Sequence, residues 1–390
     1  MKWKFYSLAF VAGMSILTAC SSDDNNDNDG NGGNGNGNEI ENGTILKGTI
    51  TSDVTLAAGN TYKLSGEYIV EEGATLHIEE GVKIIAVYDD IADYILVKQG
   101  GKINAVGTPD KPIVMTSEKE EPGAWGGIHI CGRAHTNAEG GKGSSEIGGA
   151  VYGGNDDADN SGTLQYIRLE YTGFAFDEEH EANGISFYGV GNGTIVDHCQ
   201  AYKGSDDGFE FFGGSVNVSN LVAVSCSDDS FDWTEGWNGK GTNLVAYQED
   251  KSTLGYDCDC LMECDNTGSH NAATPVAHPV LKNLILVGNG GSKQGIRLRA
   301  GTEVEIDNAK VCGKGQPLTV ETALTENALK NGTSKLTNIT LTSELSSKEG
   351  IYTHADFIAV TSNKVDANLS YSSFEDIRKE CSWMNGSWVK

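Results

Sequence analysis

The 390-residue chain carries 55 Asp plus Glu against 28 Lys plus Arg, a formal net charge of −27, which excludes a nucleic-acid binder because phosphate recognition rests on Lys and Arg releasing counterions. An apolar fraction of 38%, with 14 Tyr and 11 Phe, is enough for a large core and excludes disorder for most of the chain. The 51 Gly and only 6 Pro, about twice the usual Gly share without a collagen period, point to very many tight turns.

At the N-terminus, Lys2 and Lys4 precede an apolar run from Phe5 to Leu17, which ends in Leu17-Thr18-Ala19-Cys20. A basic start, a short apolar stretch and small residues before a cut read as a secretory signal, residues 1–19. The last four residues look like a bacterial lipobox, in which the Cys20 thiol is lipidated and becomes the first mature residue. Its removal takes away two lysines and no acid, so the exported chain carries −29. Residues 20–43 are expected as a flexible tether, since positions 21–43 hold six acids, no base and one aliphatic side chain and cannot offset chain entropy by burial. Ser21-Ser22-Asp23-Asp24 resembles the acidic export signal of Bacteroidetes lipoproteins, with an ordinary solvated linker as the alternative. The expectation is a monomer displayed at the outer membrane surface, held there by its lipid anchor alone.

Residues 44–390 read as one domain. Ile45 to Ile85 alternates apolar and polar residues with Gly turns, a strand signature. Further on, Ser205-Asp-Asp-Gly-Phe-Glu-Phe-Phe recurs 22 residues later as Ser227-Asp-Asp-Ser-Phe-Asp-Trp-Thr. Asn220-Leu-Val-Ala-Val recurs as Asn243-Leu-Val-Ala-Tyr and, more loosely, as Asn283-Leu-Ile-Leu-Val. Short strands at such a period fit a solenoid, a right-handed parallel β-helix of roughly ten coils; a sandwich or propeller is the rival. Thr322 to Lys330 is the clearest helix, with Asn331-Gly332 as its C-cap. Ser372 to Trp388 offers aromatic cover for the end of the stack.

Aligning Gly208-Phe-Glu, Ser230-Phe-Asp, Leu261-Met-Glu and Gly295-Ile-Arg puts Phe209, Phe231, Met262 and Ile296 inside. Glu210, Asp232, Glu263 and Arg297 then form one outward column. Asp207 and Asp229 lie beside it, with Asp206 and Asp228 read as caps of turn amides. Carboxylates stacked at the strand spacing of roughly 4.8 Å repel one another. A Ca²⁺ ion, a retained proton or an arginine relieves that repulsion. The candidate cation ligands are Asp207, Asp229, Glu210 and Asp232, with Asp265 and Asn266 available to complete a shell; solvated acids are the alternative. A separate run, Asn155-Asp-Asp-Ala-Asp-Asn-Ser-Gly, reads either as a Ca²⁺ loop or as a plain Asp-rich turn. The eight cysteines after Cys20 permit disulfides, while Cys258-x-Cys260-x3-Cys264 lacks the spacing of a zinc knuckle.

Four strings, Gly100-Gly-Lys-Ile-Asn to Ser117, Trp125-Gly-Gly-Ile-His to Ala134, Tyr152-Gly-Gly-Asn to Gly173, and Ser205-Asp-Asp-Gly-Phe to Gly214, resemble signatures of exported Bacteroidetes β-helix proteins. The resemblance runs from about residue 44 to about 340. It implies a pectin-lyase-like architecture and brings no settled activity. The Asp pairs and Arg297-Leu298-Arg299 are similar to elements of β-helix polygalacturonases, but no Gly-His-Gly follows the Asp pair and no Asn-x-Asp precedes it.

Three functions use the column. Glu210, Asp232, Glu263 and Arg297 serve as catalytic groups if the protein is a glycoside hydrolase, with paired carboxylates as acid and base. A polysaccharide lyase uses Ca²⁺ with Arg297 or Lys203 as base. A glycan-binding module stacks Trp233, Trp237, Trp125, Tyr188 or Phe212 on sugar rings, with Arg299 alongside. Binding through an acidic, Ca²⁺-loaded face is the preferred reading, ahead of turnover and of a purely structural surface protein.

Overall fold

The computed structural model describes residues 38–89, 91–176 and 180–390. The expected signal peptide, Cys20 and most of the expected tether lie outside these residues. The end of that tether is already part of the fold: Asn38–Ile40 is a strand paired in parallel with Val54–Leu56. Ile40 packs against the main core and its carbonyl accepts the Tyr62 hydroxyl at 3.1 Å, so the stack begins before residue 44.

From there the chain winds as a parallel β-helix, right-handed and nearly all-β, with three stacks of strands. The strand Asn217–Val224 shows how one turn of sequence makes two faces. Its first half pairs with Ile195 to Asp197 on the first face, and Leu221 to Val224 pair with Cys199 to Tyr202 on the second. Between the halves Asn220 takes φ 56°, and its short polar side chain makes it one of the few residues that tolerate a left-handed corner. The repeated Asn-Leu-Val-Ala string marks this corner. Asn243, Asn283, Asn308 and Asn338 have φ between 57° and 65°. Asn243, Asn283 and Asn308 each donate a side-chain N–H to the previous corner amide at 2.8 to 2.9 Å. Asn283→Ala is expected to cost about 2–3 kcal/mol, from left-handed strain plus the lost ladder bonds. Asn283→Gly, which carries no such strain, should lose less, and urea midpoints that are equal for the two variants would contradict the strain.

The third face holds the strands Tyr94–Val97, Ile128–Cys131, Ile185–Tyr188, Phe209–Phe212, Phe231–Thr234 and Met262–Cys264, and then residues 296–298 and 318–320. Phe209 and Phe231 stack inside at 5.6 Å, and Met262 and Ile296 follow them into the interior, fully buried. Gly213 and Gly214 end the Phe209–Phe212 strand at φ 65° and 76°, and a Cβ on Gly214 would sit 2.4 Å from the Val190 carbonyl. Part of the Gly surplus is therefore fixed by coil turns of this kind.

Two additions clothe the coils. The expected helix appears as Ala323–Asn331, closed by Gly332 at φ 86°. The end of the stack is covered by the helix His354–Ala359, whose Phe357 joins Leu341, Leu345 and Tyr352 in the main core. The aromatic C-terminal segment does not cover that end. It runs back along the second face, where Ile377, Met384, Trp388 and Val389 bury the outward side chains Val222, Val224, Val245, Ile285 and Val287. Those strands are apolar on both faces, so the segment lies along the flank where it covers their outward apolar stripe. The second addition is the excursion between the strands Ile128–Cys131 and Gly162–Glu170. Ile147, Ala150 and Tyr152 from it bury Leu96, Cys131, Tyr188 and Phe212 of the third face. All eight cysteines described are buried free thiols.

Candidate functional site

On the third face the outward positions run in register Leu96, His129, Ser186, Glu210, Asp232, Glu263, Arg297 and Thr319. The column thus passes from apolar to acidic to basic along the helix axis, and the aligned repeat places its four charged members residue for residue. Carboxylate oxygens of Asp207, Glu210 and Asp232 lie within 4.8 Å of one another, as do those of Asp229, Asp232 and Glu263, and of Asp206, Asp207 and Asp228. Asp232 belongs to two of these triads. Its Oδ1 is buried and has no hydrogen-bond partner.

Electrostatics follow from crowding under cover. Burial, then the charges of Glu146, Asp232 and Asp206, push the Glu210 carboxyl well above the usual range, although Asn183 Nδ2 donates to it at 2.6 Å. Burial followed by Glu263 and Asp265 does the same to Asp232, and burial followed by neighbouring acids raises Asp207 and Asp229. Asp206 is pushed up to about 8 by burial and Asp228, and Asp228 to about 6 by burial and Asp259. Glu146, which the excursion brings in, rises to about 7, mainly through burial.

Turn capping extends beyond the sequence expectation. Asp207 Oδ1 accepts the Asp229 amide at 2.8 Å, and Asp229 Oδ1 accepts the Cys260 amide at 2.6 Å. These two tie one coil turn to the next, while Asp206 accepts the Asp207 amide within its own turn, as expected. Asp207 and Asp229 each keep a second oxygen for the cluster.

At the far end the arginines are taken. Arg297 pairs with Glu263 at 2.8 Å and Glu321 at 3.2 Å. Arg299 pairs with Glu263 and, at 2.7 Å, with Asp265. Burial disfavours the Arg297 charge, but the hydrogen bonds and charges of Glu321 and Glu263 outweigh it and hold its pKa above the ordinary arginine value. It is therefore no base, and Lys203, the other candidate, is paired with Glu249 at 2.8 Å.

The sugar-stacking aromatics are corrected as well. Trp233 and Trp237 are each 1% exposed. Trp233 Nε1 donates to Thr302 Oγ1 at 3.0 Å, and Trp237 stacks on Phe211 at 4.2 Å. In Phe231-Asp232-Trp233 the alternation that turns Asp232 outward turns its neighbours inward. Trp125 is equally buried, and Tyr188 and Phe212 point outward but lie under the excursion. Glu210, Asp232, Glu263 and Arg297 themselves stay half-buried, so the column is a recessed, partly open ledge beside that cover. Asn266 is spent on loop structure, with Nδ2 donating to the Asn271 and Ala273 carbonyls. The acids of 156–159 accept protein donors: Asp156 Oδ1 takes the Ala158 amide within its turn at 3.1 Å, Asp157 pairs with His135 Nδ1 at 2.6 Å and Asp159 takes the Arg133 amide at 2.9 Å.

Sequence reasoning missed Asn183, Glu146 and Glu321. Glu321 lies two residues past Thr319 of the column, so extending the alignment by one coil finds it. Asn183 and Glu146 sit in insertions outside the repeat, and no periodic signal marks them.

The family model for a pectate-lyase-like β-helix domain matches residues 48–389, and the chain belongs to that family. Membership points to a carbohydrate-related function. No curated protein and no solved structure matches the chain.

Proposed function

We propose that the protein binds polysaccharide at the carboxylate ledge of its third face, with a hard divalent cation such as Ca²⁺ as part of the site. The observation that carries this reading is Asp232, shared by two carboxylate triads and left with a buried, unpartnered oxygen. Leaving such an oxygen dry and unpaired is costly, and an all-oxygen donor set suits Ca²⁺. Asp207, Glu210, Asp229 and Asp232, with Glu263, are the residues that would hold it. When bound, the ion neutralises the stacked charges and offers coordination positions to sugar hydroxyl or carboxylate oxygens. Asp228, exposed at the edge of the ledge, marks where a glycan approaches.

Binding is favoured over turnover because Arg297 and Arg299 are locked in ion pairs and the acids share one crowded environment. A general acid and a general base need environments that push their pKa values apart. We also propose that Cys20 carries a lipid and that residues 20–37 link it to the coils, displaying the ledge at the cell surface. A screen of the exported chain against plant and host polysaccharides, with Ca²⁺ and with chelator, tests the main reading. Retention that depends on Ca²⁺, without new reducing ends or new ultraviolet absorbance, is the expected result. New reducing ends mean a hydrolase and new absorbance a lyase; no glycan interaction in either condition sinks the proposal.

A further inference from the structure

We propose that the cavity between the asparagine corner and the C-terminal segment is a second binding site, specific for a neutral saccharide and independent of metal. It encloses about 290 Å³ and is lined by Asn243, Asn283, Asn308, Lys310, Glu380 and Trp383 over an apolar floor that includes Val245 and Ile285. That volume is near the lower end of small-molecule sites, roughly 300–1,000 Å³, and holds one or two sugar rings.

One wall is a row of carboxamides. Each of the three asparagines gives a single N–H to the amide of the preceding coil. An amide nitrogen carries two N–H groups and its oxygen two lone pairs, so each rung keeps a donor and an acceptor for a ligand hydroxyl. The coil repeat sets the rungs at roughly 4.8 Å, which presents the same hydroxyl-reading group again and again along one line.

Trp383 supplies an apolar ring. It is only half-buried, and it is held in place by the rings of Trp388 at 6.2 Å and His198 at 6.4 Å. An indole that is fixed yet open on one side, across from amides, suits a pyranose, which offers C–H groups on its faces and hydroxyls at its rim.

The charges near the cavity decide the ligand class. Lys310 pairs with Glu380, whose other oxygen accepts the Tyr371 hydroxyl at 2.8 Å. The two charges satisfy each other, so neither an anion nor a cation finds an unmet partner here, and a neutral sugar does. None of the lining residues belongs to the carboxylate ledge of the third face, which makes the two sites separable by experiment.

The test is calorimetric titration of the exported chain, in chelator, with neutral hexasaccharides derived from β-glucan, xylan and mannan. At least one is expected to bind saturably and to change tryptophan fluorescence. Trp383→Ala and Asn283→Asp should each weaken that binding at least tenfold. Asp keeps the tolerance for the left-handed corner, and melting curves show that each variant stays folded. The proposal is overturned if no hexasaccharide binds the folded chain in chelator, if binding survives both substitutions, or if it appears only with Ca²⁺.

Discussion

Without a divalent cation, the protein is expected to lose stability as pH rises from about 4 to about 8, and Ca²⁺ is expected to restore it. The folded state holds protons on Glu146 and Asp206 up to pH values of about 7 and 8, whereas an unfolded carboxyl releases its proton near pH 4. Their folded values are raised, so their stabilisation is fully present below the unfolded range and fades as pH climbs through each folded value. Each proton retained by the fold and lost on unfolding costs about 1.4 kcal/mol per pH unit across its window. Ca²⁺ competes for the ionised form, so melting curves with and without it should coincide in acid and diverge above neutrality, by about 2.7 kcal/mol at a hundredfold excess over Kd. Asp232→Asn removes one charge from both triads that share it; the calcium-free loss should shrink and the Ca²⁺ increment with it. A midpoint that ignores Ca²⁺ at every pH, in both proteins, refutes the cation.

The second large effect concerns the flank. Trp388→Ala is expected to cost about 3–5 kcal/mol, because a fully buried indole is deleted from the cluster that covers the second face. Removing residues 373–390 altogether should uncover Val222, Val224, Val245, Ile285 and Val287 as one apolar stripe. Dye binding to exposed apolar surface and loss to aggregates would report it. If the truncated chain stays soluble and melts as the full chain does, the segment is an ornament and the stability assignment is wrong.

The coil register was legible because strand alternation and the 22-residue repeat reinforce each other. Aligning Phe209 with Phe231 fixes Glu210 over Asp232, and the three-residue matches at Met262 and Ile296 extend the column to Arg297. The same alternation, applied to Trp233, would have placed it inside; its size and polar tip made a ligand platform attractive where the backbone gave it no access to solvent. Trp237 and the bond from Asp207 to the next coil turn on corner geometry, which a repeat pattern does not encode. The degree of exposure was not legible at all. The excursion that carries Glu146 and Tyr152, and the C-terminal segment that carries Trp388, pack onto coils far from them in sequence, and nothing periodic announces where they land.

Coils that touch only their neighbours fold as a nearly one-dimensional chain, free to form in order of synthesis. The C-terminal segment breaks that independence here. Ser387 donates to the Pro109 carbonyl and the Lys390 amide to Gln200, contacts 278 and 190 residues apart. Early coils can therefore wind as they emerge, but their valine-lined flank stays bare until residues 377–389 arrive. Completion of the fold waits for that segment, and a product that lacks it is left sticky along one side, which gives quality control a surface to recognise.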